Sequence, residues 1–153
     1  MMPSSTIRCM QLPLTGFQVL VPNSAVAEII AYTQPEKKGS EWLDGMVFWR
    51  GVTIPVVSLE KMCQKDSVEP GSRSRIAVIY NVEKDPALPY VGIILQDIPR
   101  AYLAEVDRMQ DIVDAPDCSY LQCKADMMIE QLMIPDMDAI LASVKQKTQS
   151  LPI

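Results

Sequence analysis

The sequence contains no histidine. That removes the commonest general base and the commonest metal ligand. It also removes Ser-His-Asp and Cys-His catalysis outright. No phosphate loop, dinucleotide fingerprint or metal motif occurs. Of the four cysteines, Cys9, Cys63, Cys118 and Cys123, only the last two stand close together, and no second close pair completes a zinc site. With no export signal, the four read as free, mostly buried thiols rather than a disulfide framework. Asp111 with Asp114, and Asp136 with Asp138, are close acidic pairs. Acid/base catalysis needs carboxylates facing each other across a cleft, so these read as solvated surface and a helix cap. The expectation is a chain that is not an enzyme and holds no metal and no cofactor.

Positive charge is also in short supply. Fourteen Lys and Arg stand against nineteen Asp and Glu, a net charge of −5. A nucleic-acid or anionic-membrane binder needs a positive surface, so neither is expected as a partner. The amino end lacks a basic region followed by a long apolar core. The longest apolar runs, such as Tyr90 to Leu95, are too short to span a bilayer. A cytoplasmic protein with no direct membrane insertion is expected. There is no internal repeat and no low-complexity segment. A length of 153 residues suits one domain or two closely packed lobes.

What is present centres on Trp42 to Glu60, WLDGMVFWRGVTIPVVSLE. β-Branched and aromatic residues crowd both sides of Arg50-Gly51, which predicts two strands joined by a two-residue turn. Trp49 then faces Val52, Val47 faces Ile54 and Gly45 faces Val56, all on one face that looks like core. The other face pairs Phe48 with Thr53, Met46 with Pro55 and Asp44 with Val57. It too is partly apolar, so the hairpin either sits between two layers or shows one face to a partner. Pro55 cannot donate a ladder bond, so its strand should have a free or irregular side there.

The rest of the chain reads as short strands. Ile7–Leu14 and Phe17–Val21 flank a Thr15-Gly16 turn. Asn23 or Ser24 can cap a helical turn before Val26, Glu28 and Ile29. Thr33–Ser40 is a polar loop, Glu60–Cys63 a short helical turn, and Gln64–Ser74 a second polar loop. Arg75–Tyr80 and Tyr90–Gln96 are strands, the latter apolar on both faces and therefore central. Arg100–Leu103 is a short strand, and Glu105–Cys118 crosses the surface. Tyr120–Ala125 and Met127–Ile134 form a final strand pair that Pro135 stops. Asp136 can cap a terminal helix whose Met137, Ile140, Leu141 and Val144 share one face. The composition is thus mainly β with one terminal helix.

The run Gly45-Met46-Val47-Phe48-Trp49-Arg50-Gly51, followed by Ile54-Pro55-Val56-Val57 and Leu59, resembles the signature of the CheW family of chemotaxis coupling proteins. Val26, Glu28 and Ile29 match that family's Val-x-Glu-Ile segment, and Gly92, Ile93, Leu95 and Asp97 its second glycine strand. Gln96 and Pro99 depart from the commoner pattern. The resemblance covers about Ile7 to Val144. It implies two small five-stranded SH3-like β-barrels packed together, with a C-terminal helix, in a single domain over 7–147. The first lobe would hold about 16–76 and the second about 77–147, which the strand 7–14 can join. It implies a non-catalytic adaptor with two partners, a CheA-like histidine kinase and chemoreceptor tips. Trp49-Arg50-Gly51 and the Gln96-x-Ile98-Pro99-Arg100 run look like members serving type IV pilus or twitching systems.

The residues expected to meet a partner are Val26, Glu28, Ile29, Met46, Phe48, Trp49, Arg50 and Gly51. Glu28 has a plainer reading as a solvated charge on a strand edge. Arg50 is either an interface centre, exposed at a hairpin tip beside aromatic surface, or an internal partner of Glu28 or Asp44. The alternative function is a small-barrel module that binds single-stranded nucleic acid through a basic groove with exposed aromatics, or binds a protein outside chemosensing. A net charge of −5 ranks the nucleic-acid version lower.

Overall fold

The computed structural model describes residues 6–105, 110–111, 118–126 and 129–149. Twelve strands and two α-helices follow in order among them. They are β1 Thr6–Pro13, β2 Gln18–Pro22, β3 Val26–Ala31, β4 Lys37–Lys38, β5 Leu43–Trp49 and β6 Val52–Val57, then α1 Leu59–Met62. Next come β7 Arg75–Tyr80, β8 Tyr90–Leu95, β9 Arg100–Glu105, β10 Gln110–Asp111, β11 Leu121–Asp126, β12 Ile129–Pro135 and α2 Met137–Gln149.

The strands form two sheets, ordered β3-β7-β8-β6-β5-β4 and β10-β11-β12-β2-β1-β9. Each sheet has five longer strands and one two-residue edge strand, the SH3-like pairing expected above. The chain leaves one sheet after β2, builds the other from β3 to β8, and returns at β9. The amide of Gln96 joins the carbonyl of Pro13 at 2.9 Å, pinning the end of β8 to the end of β1.

Three apolar clusters explain why so many strands are apolar on both faces. On β7 and β8, Ala77, Ile79, Val91, Ile93 and Leu95 face a central core between the sheets. Their alternate residues Ile76, Val78 and Ile94 face a second core with Val47, Trp49, Ile54 and Val56. Cys9, Leu20, Ala104 and Leu132 build a third core inside the other sheet. A strand between two such layers must be apolar on both sides, because neither side meets water. Gly92 is required there by space. A Cβ on it would come 2.9 Å from Ile76 Cγ2 and 3.0 Å from Val56 Cγ2.

Helix α2 closes the central core with Ile140 and Val144, both fully buried, and Leu141. Asp136 Oδ1 accepts from the Ala139 amide at 3.1 Å, satisfying one of the free donors of the first turn. Near its other end, Lys147 pairs with Glu41 at 3.0 Å and lies over the Trp42 ring. Glu60 is buried completely. Its carboxylate accepts from the Thr15 amide at 3.0 Å and the Gln96 side-chain amide at 3.3 Å. Those bonds join α1 to the β1–β2 turn and to the end of β8, and they satisfy a group that burial alone would penalise.

Several expectations need correction. Cys63 and Cys118 are not free thiols but a disulfide pair, 5.0 Å apart at Cα. Packing of α1 against the start of β11 brings together residues separated by 55 positions, which spacing along the chain cannot reveal. The polar loop after Ala31 contains β4, which pairs Lys37 with Met46 and Lys38 with Gly45. The turn at Asn23–Ala25 is 3₁₀, with Pro22 at its N-cap position and no side-chain cap, because both candidate cap residues lie inside the turn. Val57 faces Leu43 rather than Asp44, because a bulge between Leu43 and Gly45 inserts one residue. The surface crossing expected over Glu105–Cys118 lies mostly outside the described residues, as do Asp114 and Met127.

Candidate functional site: the Arg50 hairpin tip and its Glu28 anchor

β5 and β6 pair in the expected register near the turn, Trp49 with Val52 and Val47 with Ile54. Arg50 and Gly51 adopt φ of +44° and +82°, the left-handed conformations that a two-residue hairpin turn demands. Nothing lies within 4 Å of a Cβ built on Gly51, so backbone conformation alone calls for glycine there. The parallel ladder to β8 runs through Val56 and Val57, just past Pro55.

β3 is the outer strand of this sheet and carries a bulge between Val26 and Glu28. Val26 and Ile29 pack on the central core, while Ala27 and Ile30 pack on the second. Glu28 reaches the hairpin. Its carboxylate accepts from the Trp49 indole at 2.6 Å and from Arg50 Nη2 at 2.7 Å. The Arg50 guanidinium also sits 5.2 Å from the Trp49 ring centroid. Glu28 is therefore not a freely solvated edge charge. The Trp49 N–H holds its carboxyl below the usual 4.5; desolvation opposes this, and the charge and hydrogen bond of Arg50 each add a lesser lowering. Asp44, the other candidate partner of Arg50, instead accepts from the Tyr32 hydroxyl at 2.9 Å. Burial and that bond push the Tyr32 phenol up to about 12.

Trp49 is the hinge of the arrangement. Its ring is buried and meets Tyr90 edge-on at 4.9 Å, and Tyr90 in turn meets Tyr80 at 5.6 Å. The indole thus belongs to the core on one side and fixes Glu28 on the other. Outside it, the Arg50 side chain is 65% exposed and Phe48 is 59% exposed. Met46 is half-buried between Pro55 and β4.

The structure therefore brings Glu28, Trp49, Arg50 and Gly51 together, while Phe48 is exposed on the other face of the hairpin. It turns Val26 and Ile29 inward. The sequence reading missed Tyr80 and Tyr90, which face each other across the β7–β8 pair. Their signal was available, an aromatic at each end of the loop 81–89. No group of three or more potential metal ligands occurs among the described residues, and no described helix is long and apolar enough to cross a membrane.

A mainly β chain of two packed SH3-like sheets with a C-terminal helix has the architecture that the resemblance implies. The chain belongs to the CheW-like domain family, which matches it over residues 8–145. Among solved structures it is similar to the scaffolding protein TtCheW from Thermoanaerobacter tengcongensis, with a TM-score of 0.71 at 15% identity. That match covers 86% of this chain and 89% of the other, and it shows the shared fold. No curated protein matches the chain.

Proposed function

We propose that the chain is a non-catalytic cytoplasmic adaptor in a bacterial chemosensory system, coupling chemoreceptor tips to a CheA-like histidine kinase. Family membership supports the class of role. The single observation that supports the site is the guanidinium of Arg50, 65% exposed at the hairpin tip yet held from behind by Glu28 and the Trp49 ring. An arginine so positioned loses little freedom on binding, and arginine with aromatic neighbours is the usual make-up of an interface centre. The internal pairing and the interface reading are compatible, because only one guanidinium nitrogen is bonded to Glu28. The lobes expected at about 16–76 and about 77–147, the strand 7–14 joining the second, do not follow the sheets, which put β2 with β1 and put β7 and β8 with β3 to β6. Trp49 before Arg50-Gly51, and the run Gln96 to Arg100, favour service in a type IV pilus or twitching system.

The test is binding of purified Arg50→Glu and Arg50→Ala chains to the regulatory domain of the organism's own CheA-like kinase, with melting curves run in parallel. Expected are near-parental melting and an affinity loss of at least about 30-fold, or about 2 kcal/mol, for Arg50→Glu. Intact affinity, or a stability collapse large enough to account for the loss, refutes the proposed site.

A further inference from the structure

Cys63 and Cys118 are both buried in the central core, at 7% and 4% exposure. Cys63 closes α1 as its C-cap residue, its amide bonded to the carbonyls of Leu59 and Glu60. Cys118 begins the turn into β11, its carbonyl accepting from the Leu121 amide at 3.2 Å. The bond between them therefore ties the segment that follows the first sheet's hairpin to the turn that leads into a strand of the second sheet. Beside it lies an open cavity of about 810 Å³. Its lining includes Met62 and Gln64, the two neighbours of Cys63, and Ser119 and Tyr120, which follow Cys118. Neither cysteine lines the cavity, so a small thiol in it meets the residues flanking the bond and reaches a sulfur only when that wall moves.

We propose that Cys63 and Cys118 form a reversible thiol–disulfide site that latches the two sheets together when oxidised. The co-reactant is a low-molecular-weight thiol and its disulfide, of the glutathione class. In the closing direction one cysteine thiolate attacks a sulfur of the small disulfide. A protein mixed disulfide forms, and one small thiolate leaves. The second cysteine, as thiolate, then attacks the protein sulfur and displaces the second small thiolate. The two cysteines lose two electrons, the small disulfide gains them, and the two cysteine protons pass to the departing thiolates. Opening is the same sequence reversed.

Opening leaves the joint to the bonds of Glu60 with Thr15 and Gln96, and to α2, where the Tyr120 hydroxyl meets Ser143 Oγ at 2.8 Å. On this proposal those contacts hold the fold when the cross-link is open, and the latch adjusts a folded protein. The site is separate from the Arg50 tip, and the proposal does not depend on the adaptor reading.

The experiment equilibrates the full chain in buffers running from reduced glutathione alone to mostly glutathione disulfide. Thiols are trapped with a maleimide after acid quench, counted by mass and mapped by peptide. Expected is one two-electron transition in which Cys63 and Cys118 become protected together, with a melting temperature about 10 °C higher in the oxidised form. Cys63→Ala and Cys118→Ala should each abolish the transition, and the double variant should melt at one temperature in all buffers. Labelling of both residues at every ratio overturns the proposal. So does protection at every ratio, which would make the bond a fixed staple. Protection of a different pair, or a transition that leaves melting unchanged, also overturns it.

Discussion

Helix α2 offers a test in which two adjacent residues should behave differently. Ile140 and Leu141 sit on the same apolar face, and both belong to the central core. Ile140 is fully buried, whereas Leu141 lines a concavity shared with Asp85, Leu88, Ala142 and Lys145. Truncating a large aliphatic residue in a core costs about 2–5 kcal/mol, and the value depends on the space left empty. At Ile140 the surroundings are packed on every side, so Ile140→Ala should cost about 4 kcal/mol. At Leu141 solvent can enter from the concavity, so Leu141→Ala should cost about 2.5 kcal/mol. Alanine regains a few tenths of a kcal/mol in helix propensity, too little to change the order. With a urea slope of about 2 kcal/mol/M, the midpoints should fall by about 2 M and about 1.2 M. Urea unfolding followed by helical circular dichroism reads both. A midpoint equal to the parent's for either variant, or a larger fall at Leu141, would show that α2 does not close the core in this way.

Gly51→Val should lower the melting temperature, because a β-branched residue at φ +82° is strained although the space is open; an unchanged melting curve would place the turn elsewhere. Glu28 should titrate below its ordinary value, so the stability it contributes is present above about pH 4.5 and is lost as pH falls through the lower folded value. NMR titration of its carboxyl should show that midpoint rising in Trp49→Phe, which removes the largest single cause, and rising in Arg50→Gln as well; no change in Trp49→Phe would break the reasoning.

Most of the longer strands, the central character of Tyr90–Leu95 and the two-residue turn were legible in the sequence because they rest on local chemistry. Gly51 is forced by backbone sterics at one position, and the double-faced apolarity of Tyr90–Leu95 reports burial on both sides of one strand. The resemblance carried by Gly45 to Leu59 likewise pointed to the right family, because a motif is itself a local property. Other features belong to pairs distant along the chain. Glu28 reads as a surface charge until the bulge in β3 turns it onto Trp49 and Arg50, 21 and 22 residues away. Glu60 reads as part of a turn until Thr15 and Gln96 close over it. Cys63 finds Cys118 rather than leaving Cys118 beside Cys123, because α1 and the start of β11 pack together. In each case the partner is chosen by how two sheets stack, and periodicity along a single strand carries no information about that stacking.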